Sequence, residues 1–483
     1  MMVAGVTGEL VLAAIAACGP PQLTVLGHLE RNDKLNLGAT CTGLRQASLA
    51  WFPEVTVEVK RAKTDVASLA AWLERHQAQL HLILDQECSV DAPKSLSRLR
   101  QLSMTNVNVG SSAETTLALP ALKDLQALRL SDCKLQAAPR ALSALTQLTA
   151  LDLSWNGISA DVPLATLQRL QRLDLQECTL QAVPAQLSGL TALTSLNLCR
   201  NLWLVSGWHH LAALTQLQDL NIASCCVKAV PEQLSVLTRL DLSHNRLLSS
   251  GWQHLLHLTR LQDLDLCACE LAAVPQQLSA LTSLTRLNLR LNGQLAGGWH
   301  HLAALTLLQD LNIASCCVKA VPEQLSVPTR LDLSHNRLLS SGWQNLLHLT
   351  HLQDLNLCAC ELAAVPQQLS ALTSLTRLNL RLNGQLAGGW HHLAALTQLQ
   401  DLNISNCNIT GVPEQLSALT ALTSLDLSTN RELAGGWQNL VPLTQLRCLC
   451  VASVRPLGGE APPELAALPQ LRVYWRTGSR VWT

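Results

Sequence analysis

Aliphatic residues recur along this chain at the first, fourth and sixth places of a nine-residue frame, LxxLxLxx(N/C). The frame opens at Leu125 in "LQALRLSDC", at Leu148 in "LTALDLSWN", at Leu170 in "LQRLDLQEC", and recurs through Leu193 and Leu217 to Leu422. Within it apolar and polar places alternate, the period of a strand with one buried face, and the polar residues beyond predict a turn. With weaker members at Leu99, Leu446 and Leu471, the chain holds about 17 such units. A single unit cannot bury its own leucines. Stacked neighbours can, so the pattern predicts short strands side by side in a parallel sheet with the leucines turned inward.

A slower rhythm overlies the first, because the ninth place alternates: Cys133, Asn156, Cys178, Asn201, Cys225, Asn245, Cys269, Asn292, Cys316, Asn336, Cys360, Asn383, Cys407, Asn430. The cysteine type commonly continues through Val-Pro, as in "ELAAVPQQL" (Glu270 to Leu278). Most of the asparagine type continues through Gly-Trp, as in "NRLLSSGWQHLLHL" (Asn245 to Leu258). The working unit is therefore a pair. The block Trp208 to Gly298 returns as Trp299 to Gly389 with five differences, Gln216/Leu307, Leu237/Pro328, His254/Asn345, Arg260/His351 and Asp265/Asn356, which points to a recent internal duplication. Both copies share a shortened unit at "PEQLSVLTRLDL" (Pro231 onward), as expected where backbone outside the strands can be trimmed without breaking the ladder.

These spacings closely resemble the leucine-rich repeat family, over roughly three quarters of the chain. The resemblance implies an α/β fold: a right-handed leucine-rich repeat solenoid with a parallel concave β-sheet and a small helical amino-terminal cap. It also implies that the ninth side chain lies inside the turn, where asparagine bonds neighbouring backbone and cysteine replaces it as a small buried group.

The paired thiols of "LNIASCCVKAVP" (Leu220 to Pro231) raise the question of metal or redox chemistry. Register answers against it. Ninth-place cysteines fall two strands apart, about 9.6 Å at the usual spacing, beyond the roughly 7 Å limit of a disulfide, and are expected to be free. Cys226 and Cys317 occupy the tenth place with no thiol in register, and Cys199, Cys267 and Cys358 the seventh, expected to lie exposed on the concave face. The pairs His209-His210, His300-His301 and His391-His392 are expected to send adjacent side chains apart on the convex side or edge. No metal and no cofactor are expected. The Gly-Trp tryptophans, Trp208, Trp252, Trp299, Trp343, Trp390 and Trp437, are expected to fill the convex side of the core.

On the concave face the third place alternates in charge through Asp219, Arg239, Asp263, Arg286, Asp310, Arg330, Asp354, Arg377 and Asp401. Neighbours in such a column can pair with each other, at little energy per exposed pair, or dock a partner of matching pattern. The fifth place is a column of Asp and Asn, among them Asp152, Asp174, Asn197 and Asp241, suited to a peptide backbone or basic side chains. No Ser-His-Asp, phosphate-loop or zinc-protease arrangement is present, so the expectation is a binding protein and not an enzyme.

Lysine plus arginine and aspartate plus glutamate number 34 each, which removes the broad basic footprint of a nucleic-acid binder. No apolar run reaches the 18 residues of a spanning helix. The stretch ending Ile15-Ala16-Ala17-Cys18 looks like a lipoprotein cleavage site, yet Glu9 sits within it and no basic residue precedes it. Together with an odd count of 17 cysteines, this favours a reducing compartment: cytoplasmic, with cytoskeletal or nuclear placement as variants.

Before the repeats, "VLGHLERNDKLNLGATCTGLRQASLAW" (Val25 to Trp51) has helical apolar spacing and a short polar turn. It resembles the second half of an F-box through Leu26, Leu29, Asp33, Leu35, Leu37, Cys41, Leu44, Arg45 and Trp51, though "GPPQLTVL" (Gly19 to Leu26) replaces the usual Leu-Pro-x-Glu-Leu opening. The resemblance implies binding of a Skp-type adaptor. The other reading is a cap over the first repeat. "FPEVTVEVK" (from Phe52) and "LHLILDQE" (from Leu80) read as strands, with helical "DVASLAAWLERHQ" (Asp65 to Gln77) between. The expected organisation is a helical F-box-like or capping segment at 1–60, a degenerate cap or first repeat at 61–98, and the solenoid at 99–483. The expected function is a protein-protein interaction module, as substrate receptor of a cullin-RING ubiquitin ligase or as a cytosolic or cytoskeletal scaffold.

Overall fold

A computed structural model describes residues 54–59, 79–84, 100–107, 119–159, 162–232, 234–325, 328–454, 462–468 and 470–474. The chain divides into two compact units, Met1–Asn197 and Leu198–Thr483.

Unit 1 carries β1 (Glu54–Val59), β2 (Gln79–Leu84), β3 (Gln101–Thr105), β4 (Ala127–Ser131), β5 (Ala150–Asp152), β6 (Arg172–Asp174) and β7 (Ser195–Asn197). Each pairs with the next in parallel. Unit 2 carries β8 (Asp219–Asn221), β9 (Arg239–Asp241), β10 (Asp263–Asp265), β11 (Arg286–Asn288), β12 (Asp310–Asn312), β13 (Arg330–Asp332), β14 (Asp354–Asn356), β15 (Arg377–Asn379), β16 (Asp401–Asn403), β17 (Ser424–Asp426), β18 (Cys448–Cys450) and β19 (Arg472–Tyr474), again parallel in chain order. From β3 onward the strands fall on the units read from the spacing, and β1 and β2 fall on the two earlier stretches read as strands. The helix expected over Asp65 to Gln77 lies outside the described residues.

The strands are short for a chemical reason. The fifth-place Asp or Asn turns its Oδ1 back to accept the backbone N–H two residues on, as in Asp152 to Ser154 (2.9 Å), Asp265 to Cys267 (2.8 Å) and Asn379 to Arg381 (3.0 Å). That local bond bends the chain out of the extended state. The eighth residue then adopts positive φ, for instance Trp155 at 59° and His244 at 58°.

Below the turn runs the Asn/Cys ladder, fully buried. Asn245 Oδ1 accepts the N–H groups of Cys225 (3.0 Å) and Val227 (2.9 Å), while its Nδ2 donates to the carbonyls of Ile222 (2.9 Å) and Leu242 (2.7 Å). Asn156 does the same to Cys133, Leu135, Leu130 and Leu153. The cysteines are more than small fillers. Cys225 Sγ donates to the carbonyl of Leu198 (3.0 Å) and accepts the N–H of Asn201, and Cys178 repeats this with Leu153 (3.1 Å) and Asn156. A thiol thus serves one donor and one acceptor of the preceding repeat, where asparagine serves four groups.

Most connecting segments carry a short 3-10 helix; those from β5 to β6, β8 to β9 and β12 to β13 show none among the described residues. In Arg140–Ala144, entered from Pro139, leucines at 142, 145 and 148 bond i to i+3 and stack on one face, as a three-residue period requires. The alternation of Val-Pro with Gly-Trp follows from backbone proximity. Val274 N–H bonds Gly297 O (2.9 Å), and at Gly298, with φ +82°, an added Cβ would lie 2.5 Å from Val274 O. Only glycine fits there, so each Val-Pro repeat dictates a Gly-Trp neighbour. Of the six tryptophans, Trp437 is buried, while Trp208, Trp252, Trp299, Trp343 and Trp390 are half-exposed and fill the core only in part.

Candidate interaction surface

The exposed side of the strands carries the third-, fifth- and seventh-place side chains, since the fourth and sixth are leucines turned into the core. The nine charged residues expected to form a column stand at the first residue of β8 to β16. Register sets each aspartate opposite an arginine, from Asp219 opposite Arg239 to Arg377 opposite Asp401.

Much of the column pairs with itself. Asp263 receives Arg286 at 2.9 Å and Arg239 at 3.7 Å, and Asp354 receives Arg377 at 2.7 Å and Arg330 at 3.4 Å. Arg330 also reaches Asp310 at 3.7 Å. Burial raises the carboxyls of Asp310 and Asp354 above the ordinary range, against the opposing pull of the arginines. The arginines themselves remain exposed.

The fifth-place column is committed as well. Its inner oxygens hold the turns, and amides hold several outer ones: Asn197 Nδ2 donates to Asp174 (3.0 Å), Asn288 to Asp265 (2.9 Å) and Asn356 to Asp332 (3.1 Å). The two copies of the duplicated block differ here in one strand-face residue. Asp265 lies opposite Asp241, and its carboxyl is raised chiefly by burial, with Asp241 adding to the effect; in the second copy Asn356 lies opposite Asp332 and bonds it.

The seventh place departs from expectation. Cys267 and Cys358 are each 8% exposed and Cys199 is half-buried, because neighbouring strands close over a small side chain. All 14 described cysteines are free, and among the described residues no three His, Cys, Asp or Glu side chains gather as a metal site. Burial pushes the Cys225 and Cys360 thiols up to about 12, out of the reactive range. The paired histidines do not diverge. Their ring centroids lie 4.0 Å, 3.9 Å and 3.8 Å apart, and desolvation followed by the neighbouring ring's charge lowers His301 and His392.

Two surface features escaped the sequence reading. Beyond Asn201 the chain exposes Leu202, Trp203 and Val205, the last two by more than two thirds. On unit 1 a hollow of about 440 Å³ opens over β3 to β7, lined by Ala127, Arg129, Ala150, Asp152, Arg172 and Asp174 among others. Its signal was present in the third place, where alanine and serine replace the charges of unit 2. The F-box-like residues Leu26, Leu29, Asp33, Leu35, Leu37, Cys41 and Leu44 lie outside the described residues. Among the described residues no helix is long and apolar enough to cross a membrane.

Two family models, both described as leucine-rich repeat, match residues 398–419 and 144–161. No curated protein sequence matches the chain. Among solved structures it is similar to a leucine-rich repeat protein of Leptospira interrogans, at 22% identity and TM-score 0.56, covering 80% of this chain and 97% of that one. It is also similar to a chain of the Drosophila Toll–Spatzle complex, at 15% identity and TM-score 0.58, covering 87% and 64%. A chain of a TLR13–ssRNA13 complex matches at 21% identity and TM-score 0.51, covering 84% and 58%. By its repeats and by its fold, this chain is a leucine-rich repeat solenoid.

Proposed function

We propose that this chain is a protein-interaction module that holds a partner against the strand face of its repeats, and that its amino-terminal segment joins it to a Skp-type adaptor as the substrate receptor of a cullin-RING ubiquitin ligase. The observation that carries the first half is the exposed column Asp219, Arg239, Asp263, Arg286, Asp310, Arg330, Asp354, Arg377, Asp401, whose arginines keep their outer edges in solvent although their carboxylate partners are half-buried. A row of alternating charge with fixed register favours an extended partner and disfavours one of single sign.

The second half rests on Leu26, Leu29, Asp33, Leu35, Leu37, Cys41 and Leu44, at spacing close to that of an F-box, whose apolar members would fill a groove on an adaptor. In this reading 1–60 is the adaptor segment, 61–98 the degenerate first repeat and 99–483 the recognition solenoid. The replaced opening, "GPPQLTVL", favours a scaffold without a ligase role, with 1–60 as a cap.

Co-purification of the full chain with a Skp-type adaptor separates the two. The ligase reading expects a stoichiometric complex that a Leu29→Ala, Leu35→Ala double variant loses. An adaptor that ignores the wild-type chain leaves the scaffold reading. For the strand face, Arg286→Asp with Arg377→Asp is expected to weaken the chain's labelling of its partners in the native cell, and undiminished labelling would count against it.

A further inference from the structure

Unit 2 shows repeatedly what an arginine at the third place takes as its partner. Arg239, Arg286, Arg330 and Arg377 each lie beside an aspartate in register, at 3.7 Å, 2.9 Å, 3.4 Å and 2.7 Å from Asp263, Asp263, Asp354 and Asp354. On unit 1, β6 has the same Arg-Leu-Asp sequence as β9 and β13. Yet Arg172 stands opposite Ala150 of β5 and Ser195 of β7. It is exposed, and among the described residues it enters no ion pair.

The missing carboxylates leave space. The hollow of about 440 Å³ lies where unit 2 has its aspartates, and that volume admits a side chain and part of its backbone. Its other charges are already engaged. Arg129 of β4 bonds Asp152 of β5 at 2.6 Å, and Asp152 also accepts from Ser154. Asp174 accepts the Gln176 N–H and the Asn197 amide. Arg172 is thus the uncommitted cation of the hollow, and the two engaged carboxylates limit what can enter. A polyanion such as nucleic acid or a phosphate cluster would face Asp152 and Asp174, whereas a single carboxylate can approach from the Ala150 side.

We propose that the hollow over β3 to β7 binds one aspartate or glutamate side chain of an extended segment of a protein partner. The partner's carboxylate takes, beside Arg172, the place that Asp263 and Asp354 hold beside the arginines of unit 2. This rests on the reading that the strand face binds protein, and it names the chemistry of one contact on that face.

The test uses the full chain and a random dodecapeptide library displayed on phage. Selected peptides are expected to share an acidic residue whose change to the amide abolishes binding. Synthetic versions are expected to bind Arg172→Ala and Ala150→Asp about tenfold or more weakly, as for loss of a charge-assisted contact. They are expected to bind Arg246→Ala, which lies outside both the hollow and the charged column, as they bind the wild type. Ala150→Asp supplies within the chain the carboxylate that unit 2 carries in register, so it closes the site with the fold kept, which its melting temperature checks. Peptides that bind Ala150→Asp undiminished, or that need no acidic residue, overturn the proposal. Peptides that depend on Arg286 and Arg377 but not on Arg172 overturn it while leaving the strand-face reading standing.

Discussion

Units 1 and 2 are alike below the surface and unlike upon it. Both bury the same leucine rows and the same Asn/Cys ladder, down to the four bonds made by Asn156 in one and Asn245 in the other. On the strand face, unit 2 lines its third places with Asp and Arg that pair across strands, while unit 1 has Ala127, Ala150 and Ser195 there, and Arg172, between Ala150 and Ser195, enters no ion pair among the described residues. Buried places obey the backbone, which repeats. Exposed places are free of that constraint and can differ between the units.

The comparison is most severely tested by breaking what the units share. Asn156→Ala and Asn245→Ala each leave two N–H groups and two carbonyls buried without partners, and should each cost about 3–5 kcal/mol. Hydrogen exchange of the flanking strands measures this locally, which suits a repeat array better than a single global transition. A large loss in one unit alone would mean that the ladders are not equivalent.

Gly298→Ala comes next. Positive φ and a Cβ placed 2.5 Å from Val274 O should together cost about 2–4 kcal/mol, read as a lowered melting temperature. Full stability would break the account of why Val-Pro and Gly-Trp repeats alternate.

The ladder cysteines give a smaller effect. Cys178→Ala in unit 1 and Cys225→Ala in unit 2 each lose one S–H donor and open a small cavity, about 1–2 kcal/mol. Burial raises Cys178 and Cys225 from 9.0 to about 12, so the folded state favours the neutral thiol. Their contribution is whole below pH 9.0 and is lost as pH climbs towards 12. Urea midpoints of wild type and Cys225→Ala should therefore converge in that window, and a gap that widens with pH would contradict the burial. In native protein at neutral pH, alkylation should reach exposed Cys317 and spare Cys225. The smallest effect is Arg286→Ala, below about 1 kcal/mol, as for an exposed pair.

The repeat was legible because leucine at three fixed places leaves little freedom: β3 to β19, the buried ninth place and the free thiols all follow from it. The face was legible where charge alternated, in Asp219 to Asp401. What escaped depended on distances that spacing does not carry. Cys267 and Cys358 sit at a nominally exposed place, but strands packed side by side cover a side chain as small as cysteine. The His209-His210 rings touch because a 3-10 helix, Trp208–Ala213, does not splay neighbours as a strand does. The hollow over β3 to β7 was missed although Ala127, Ala150 and Ser195 mark it in the third place, because the space that small side chains leave is a distance and not a motif.

The central claim is that Arg172, which enters no ion pair among the described residues, marks a contact for a partner's carboxylate. Measuring, in Arg246→Ala and Arg172→Ala side by side, the urea midpoint and the affinity for a selected acidic peptide tests it most directly. The account predicts that Arg246→Ala lowers the midpoint slightly at most with affinity unchanged, and that Arg172→Ala keeps the midpoint while affinity falls about tenfold or more. Equal losses of affinity in both, or a stability loss confined to Arg172→Ala, would contradict it.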